Sequence, residues 1–422
     1  MPFWKSQRHP LTFSFLKVAP LLANMEEDLV SHRTPLSASF TSGVSYHRDG
    51  GVPLEVSRDL EKAVKEGQLL EVVAIARKVV EMASRAPVSL AVMGDSGNGM
   101  SSFVNALRGI GHEDAASAPT GVVRTTLTPA RYTSPSFPNV FLWDLPGMGA
   151  SDQSLDHYLR ELQHSQYDLF LLIASEQFSL HHVRLAKTIQ GMGKRFYVIW
   201  TKVDRDLSTT PLSRGLLLRN IQENILETLQ KEGVHKPPIF LVSSLDPDLH
   251  DFPDLRKKLR IDIFNIRCSG PLEAMSYACK ETINEKVASL KTRVLQNCPE
   301  DTLGSCGADD LEQYLRVYRG CFGIDDDSLL QVAWSTGRVV SEYRTLLRSQ
   351  DLCGLRRADC RLRLATCSVM KMLLRLLRWV PWLGPRAVRW FARVTHKRML
   401  HLVAQDTKGI LKKILEDSTC PA

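Results

Sequence analysis

No cysteine precedes Cys268, and the nine in the chain form no Cys-x-x-Cys pair. That distribution argues for reduced thiols in the cytosol rather than a disulfide framework or a zinc site. A signal peptide is not expected either, because Lys17 and Pro20 interrupt the apolar stretch 11–22 and no small-residue cleavage site follows cleanly. Pro2 stands where N-myristoylation requires glycine, and Thr419 where prenylation requires cysteine. The chain is therefore expected not to be secreted and to carry neither of those lipid signals.

What is present suits two domains. A length of 422 residues exceeds one ordinary domain, and 44% apolar with 24% charged residues is enough for a substantial core. The net charge of +8 is unevenly spread. Residues 355–400 carry twelve Lys or Arg against the single acid Asp359, so the rest of the chain is slightly acidic. A local anionic partner is implied, either nucleic acid or lipid.

Residues 1–55 are rich in Ser, Thr and Pro and read as flexible. Helical periodicity over 56–86 (Leu60, Val64, Leu69, Val73, Val79) predicts one or two amphipathic helices. Between 87 and 250, apolar runs at 88–93, 140–143, 169–174, 196–200 and 239–242 alternate with helical stretches at 101–108, 152–164, 180–192 and 212–231. This alternation predicts an α/β domain, a mostly parallel sheet with helices on both faces. From 251 to 422 strand signals give way to helices near 254–267, 271–295, 309–320, 326–349, 355–380 and 386–417.

The chemistry concentrates at strand ends. Gly94-Asp95-Ser96-Gly97-Asn98-Gly99-Met100-Ser101-Ser102 follows the first strand with the spacing of a phosphate-binding loop, so that amides of residues 97–102 and a helix N-terminus face a di- or triphosphate. Methionine replaces the usual lysine. Asp144-Leu145-Pro146-Gly147 ends the next strand as Asp-x-x-Gly, with Asp144 near a magnesium and the Gly147 amide near a γ-phosphate. Thr201-Lys202-Val203-Asp204 closes a further strand, where Asp204 can accept from N1–H and the exocyclic amine of guanine, which selects GTP over ATP. Ser243-Ser244 suit the guanine carbonyl. In the interval 111–128, the expected first switch, Thr125 or Thr126 supplies the hydroxyl that senses magnesium. Met148 follows Gly147 in place of the glutamine that orients water, so slow turnover is expected.

These stretches, with Ala118-Pro119-Thr120-Gly121-Val122-Val123, resemble the interferon-inducible immunity-related GTPases, in particular the branch with Gly-Met-Ser, here Gly99-Met100-Ser101. The resemblance runs from about residue 25 onward, so Met25 is a second candidate start. It implies a Ras-like P-loop GTPase domain beside a helical bundle built from N- and C-terminal helices. GTP or GDP and Mg2+ follow as cofactors, the metal held by Ser101, Asp144 and Thr126. The implied role is restraint of related immunity GTPases on the cytoplasmic face of endomembranes (Golgi, phagosome or autophagosome, lysosomal vesicles), with a cytosolic pool. Contact with the autophagy machinery and clearance of intracellular pathogens come with it. A nucleotide-binding membrane scaffold without significant hydrolysis is the second reading.

The stretch 355–380 predicts the membrane contact. Arg356, Arg357, Arg361, Arg363, Lys371, Arg375 and Arg378 share one arc of a helix, and Leu362, Val369, Met372, Leu373, Leu376 and Val380 the opposite one, followed by Trp379 and Trp382. Such a helix lies in an anionic lipid interface. It cannot span, since its cations break every apolar run short of the ~20 residues required. Nucleic acid fits less well, for no recognition motif accompanies the charge. Cys353, Cys360 and Cys367 recur every seven residues; S-acylation is one reading of them, but they project from the cationic side and not from the arc that would meet lipid.

Overall fold

The computed structural model describes residues 52–111, 113–121, 126, 128–148, 167–297, 308–350 and 384–418, with 367, 372, 373 and 376. Six strands form one sheet in the order β2-β3-β1-β4-β5-β6. They are β1 (Val88–Gly94), β2 (Ala130–Ser134), β3 (Phe137–Asp144), β4 (Leu169–Ala174), β5 (Arg195–Trp200) and β6 (Ile239–Leu241). All neighbours run parallel except β2, which pairs antiparallel with β3. Every residue of β4 is buried, as expected for a central strand covered on both faces.

Alternate residues of β1 feed two cores. Leu90 and Val92 pack with Phe103, Val104 and Leu107 of α3 (Met100–Arg108) and with Phe252 and Leu255. Ala91 and Met93 pack on the other side with Leu185 and Ile189 of α4 (Leu180–Gly191), and with Ile225 and Leu229 of α6 (Arg214–Lys231). The fold is Ras-like, and the loops at the carboxyl ends of β1, β3, β5 and β6 carry the motifs, as open α/β sheets favour.

Three features depart from the sequence reading. Strand β2 was not anticipated, because Ala-Arg-Tyr-Thr-Ser is a half-exposed edge strand with no apolar run. The two helices expected on either side of residues 268–270 are one, α7 (Phe252–Asn297), which continues through Pro271. A proline removes one helical hydrogen bond, but the buried positions Met275, Cys279 and Ile283 keep helical spacing after it and sustain the helix. The helix expected over 326–349 divides into α9 (Asp326–Thr336), α10 (Val340–Arg344) and a 3-10 turn (Arg348–Gln350), since Gly337 adopts a left-handed φ of 68° and stops α9. Between β5 and β6, a short α5 (Val203–Thr209) precedes α6. The expected helices at 152–164 and over most of 355–380 lie outside the described residues.

The chain divides into two compact units, one of residues 76–274 and one combining 1–75 with 275–422. The divisions fall inside α2 (Leu69–Ser84) and α7 rather than at 86 and 250. Within the helical unit, α1 (Leu54–Glu66) buries Val56, Leu60, Ala63 and Val64 along one face. It packs with α8 (Ala308–Phe322), which in turn packs on α11 (Gly384–Asp417). Helix α1 ends at Gly67, where φ is 79° and an added Cβ would stand 2.9 Å from the Gly323 nitrogen. The Lys286 ammonium donates to the carbonyls of Lys65 and Cys321, the latter at 2.6 Å, and so caps the ends of α1 and α8 together.

Candidate nucleotide site

The loop between β1 and α3 is bent by Gly97 (φ 88°) and Gly99 (φ 82°) and pinned on three sides. Gly94 must lack a side chain, since a Cβ there would lie 2.2 Å from the Ile173 carbonyl. The Asp-x-x-Gly segment zips onto the loop: the Ser96 amide donates to the Met148 carbonyl and the Met148 amide to the Gly94 carbonyl, both at 3.0 Å. Asn98 is buried. Its amide nitrogen donates to the Ile173 carbonyl (3.1 Å), its Oδ1 accepts from Ser175 (3.0 Å), and its backbone carbonyl accepts from the Thr201 hydroxyl (2.6 Å). Its N–H turns back to Asp95 (3.2 Å), so this amide is not part of the phosphate-facing row expected over 97–102. The Asp95 carboxylate is held by the Ser179 hydroxyl (2.7 Å) and faces His181 Nδ1 (3.1 Å). Both side chains anchor the loop.

Ser101, Asp144 and Thr126 converge. The Ser101 hydroxyl donates to Asp144 Oδ2 at 2.6 Å, the Thr126 hydroxyl reaches the same oxygen at 3.1 Å, and the two hydroxyls stand 3.2 Å apart. Thr125 lies outside the described residues, and Thr126 is the threonine brought to this cluster. Asp144 is fully buried and its Oδ1 has no partner. Burial raises its pKa above the usual carboxylate value, against the two hydroxyl hydrogen bonds that lower it. A buried carboxylate oxygen without a donor, beside two hydroxyls, fits a hard divalent cation. Gly147 is pressed on the loop: a Cβ there would stand 2.7 Å from Ser96 Cα and 3.0 Å from Met100 Cε. Met100 itself is buried in the core beneath α3.

The base-recognition segments meet the loop from the far side. Lys202 takes a left-handed φ of 61° and its ammonium donates to the Gly97 carbonyl at 2.7 Å. Asp204 lies half-buried in the first turn of α5, and the Val203 amide joins the Val242 carbonyl (3.3 Å), which brings Ser243 and Ser244 alongside. The Ser243 hydroxyl accepts from the amides of Leu245 and Asp246 (3.2 and 3.3 Å) and so shapes this turn. Ser244 Oγ is buried with no partner. Ser102 is half-buried on the first turn of α3.

The sequence family described as "Interferon-inducible GTPase (IIGP)" matches residues 54–414. The chain belongs to this family. It is 53% identical to the rat immunity-related GTPase family M protein, covering 96% of this chain and 97% of that one. The mouse immunity-related GTPase family M protein 1 is 52% identical over 97% and 98% of the two chains. Bovine interferon-inducible GTPase 5 is 37% identical over 69% and 66%. The G domain of FeoB from Methanococcus jannaschii aligns with 42% of this chain and 98% of its own at 16% identity and a TM-score of 0.29. As a member of this GTPase family, the chain binds guanine nucleotide.

Sequence reasoning missed the residues that hold the loop from behind: Ser175, Ser179 and His182, and Asn105, whose side chain makes a reciprocal pair with the Ala118 backbone (2.9 and 2.7 Å) at the start of the switch. No spacing rule links Asp95 and Asn98 to Ser175, Ser179 and His182; the pairing of β1 with β4 brings them together. Of the residues expected to meet a membrane, Arg357, Arg361, Lys371, Arg375, Arg378 and Trp379 lie outside the described residues. Leu373 and Leu376 are exposed, at 50% and 62%, as is Met372 at 65%. Among the described residues no helix is long and apolar enough to cross a membrane.

Proposed function

We propose that the chain is a slow guanine-nucleotide-dependent switch that rests with GDP and restrains related immunity GTPases on endomembranes. The observation that carries this reading is the burial of Met100 against Gly147. A lysine at this point of the loop would bring positive charge to the β- and γ-phosphates; a buried thioether brings none, so the advantage of GTP over GDP shrinks. Met148, whose backbone is tied to Gly94 and Ser96, offers no group to orient water. Ser101, Asp144 and Thr126 would hold Mg2+, which when bound neutralises phosphate charge. Asp204 selects guanine, Lys202 and Thr201 brace the loop, and the amides at the start of α3 receive phosphate oxygens.

Exposure of Met372, Leu373 and Leu376, an i, i+1, i+4 set on the apolar arc, supports lipid contact over packing into a bundle core. The cationic arc of the same stretch favours anionic lipid. Restraint of related GTPases, interferon-driven immunity, autophagy, and the Golgi, phagosomal and lysosomal setting rest on the resemblance to the Gly-Met-Ser branch. Titration of the purified chain with fluorescent GDP, GTP and ATP in magnesium tests the reading. Guanine-selective binding tighter for GDP is expected, and Met100→Lys should raise GTP affinity and turnover relative to GDP while weakening inhibition of a partner GTPase. Absence of guanine binding would leave the scaffold reading.

A further inference from the structure

Behind the phosphate loop, at the corner where β4 turns into α4, His182 is completely buried and stacks on Phe178 with ring centroids 5.2 Å apart. Its two ring nitrogens have different tasks. The Ser179 amide donates to Nδ1 at 3.1 Å, so Nδ1 carries no proton, and Nε2 faces the Ile173 carbonyl at 2.9 Å, so the proton is there. Burial disfavours the charged ring, with Asp95 opposing, which keeps this neutral tautomer.

The contacts continue to the loop. The Ile173 carbonyl that accepts from His182 also accepts from the Asn98 side chain, and the two nitrogens lie 3.3 Å apart. On the other side of the ring, the Ser179 hydroxyl sits 2.8 Å from Nδ1 and 2.7 Å from Asp95 Oδ2. One imidazole thus backs both polar side chains that anchor the loop. Asn98 lies between two glycines in left-handed conformation, Gly97 and Gly99, which lose more conformational freedom on ordering than any other residue type.

We propose that His182 is a positioning residue of the nucleotide site, holding Asn98 through the Ile173 carbonyl and Asp95 through Ser179 so that the phosphate loop is preformed before nucleotide arrives. Preformation lowers the ordering cost of binding. Its loss weakens every ligand that uses the phosphates, GDP and GTP alike, and leaves the choice of guanine over adenine, made at Asp204, untouched. The proposal rests on the assignment of this loop to guanine nucleotide.

The test is stopped-flow release of fluorescent GDP and GTP from the full chain with magnesium, alongside thermal melting. His182→Phe keeps the ring and its stacking but removes both nitrogens; about tenfold faster release of both nucleotides is expected, with guanine selectivity unchanged. His182→Gln, whose amide can donate to Ile173, should restore most of the difference. His396→Phe, in the helical unit, controls for lost stability and should leave release at the wild-type rate. A folded His182→Phe that releases GDP at the wild-type rate overturns the proposal. Should that variant fail to fold, Ser179→Ala decides: a several-fold faster release supports the proposal, and a wild-type rate overturns it. If the unsubstituted chain binds no GDP, the nucleotide reading itself fails and this proposal with it.

Discussion

Met100 faces Gly147 across the site: a single carbon added to Gly147 would meet Met100 Cε at 3.0 Å, besides Ser96 Cα at 2.7 Å and Ser96 N at 2.9 Å. The methionine therefore occupies space beside the glycine whose amide is expected to sense the γ-phosphate. Because the crowded neighbours include rigid backbone, Gly147→Ala must displace the loop. Nucleotide affinity should fall at least tenfold while the fold persists, as read by equilibrium titration and by circular dichroism of the same sample.

Asp144 separates binding from stability. Its burial raises its pKa, so the ionised form is disfavoured in the folded chain. With the folded pKa above the unfolded one, this group's contribution to stability is full below the unfolded value and is lost as pH rises through the folded value. Asp144→Asn removes that penalty at neutral pH. The variant should melt at or above the wild-type temperature yet lose the magnesium dependence of GDP release, a pair of outcomes measured by calorimetry and by release with and without chelator.

Leu373 and Leu376 give the membrane reading its test. Replacing both with glutamate removes apolar area and places acids beside the cationic arc. Flotation with vesicles containing phosphatidylserine should drop by more than half, whereas GDP affinity should hold. Retained flotation would sink the role assigned to this helix.

In the helical unit, burial pushes the His396 imidazole from its ordinary 6.5 down to about 4, and Tyr318 shares a hydrogen bond of 2.9 Å with Nδ1. A depressed folded pKa means stability is complete above pH 6.5 and is lost as pH falls toward 4. The loss amounts to about 3 kcal/mol over that interval. Chemical denaturation of His396→Gln at several pH values should show a flatter decline than the wild type by about that amount.

The parallel strands were legible because each is an apolar run bounded by turn residues, and 169–174 coincides with β4. Motif order singled out Ser101, Asp144 and either Thr125 or Thr126, and in the fold the Ser101, Asp144 and Thr126 side chains lie within hydrogen-bonding distance of one another. Strand β2 was not legible, since an edge strand with Arg131 and Thr133 carries no core signal. Pro271 misled for a local reason: its missing amide predicts a break, while the buried positions that hold α7 together are set by tertiary packing. Asn98 and Asp95 looked like ligand contacts because they sit in the loop. Their side-chain partners come from residues 173–182, at the end of the neighbouring strand β4 and the start of α4, where sequence spacing carries no information.

The shared cap at Lys286 bears on the order in which the chain is made. The Val64 carbonyl and the ammonium that reaches it are separated by 222 residues. At ribosomal rates of about 5–20 residues per second, α1 emerges roughly 10–45 s before that ammonium is translated. Its buried face, Val56, Leu60, Ala63 and Val64, belongs to a helix that packs with α8, which is encoded far downstream. The intervening sheet of residues 76–274 needs nothing from beyond its own span to bury its strands. A nascent chain of this protein thus carries α1 for most of its synthesis before α8 and the Lys286 cap are available to it.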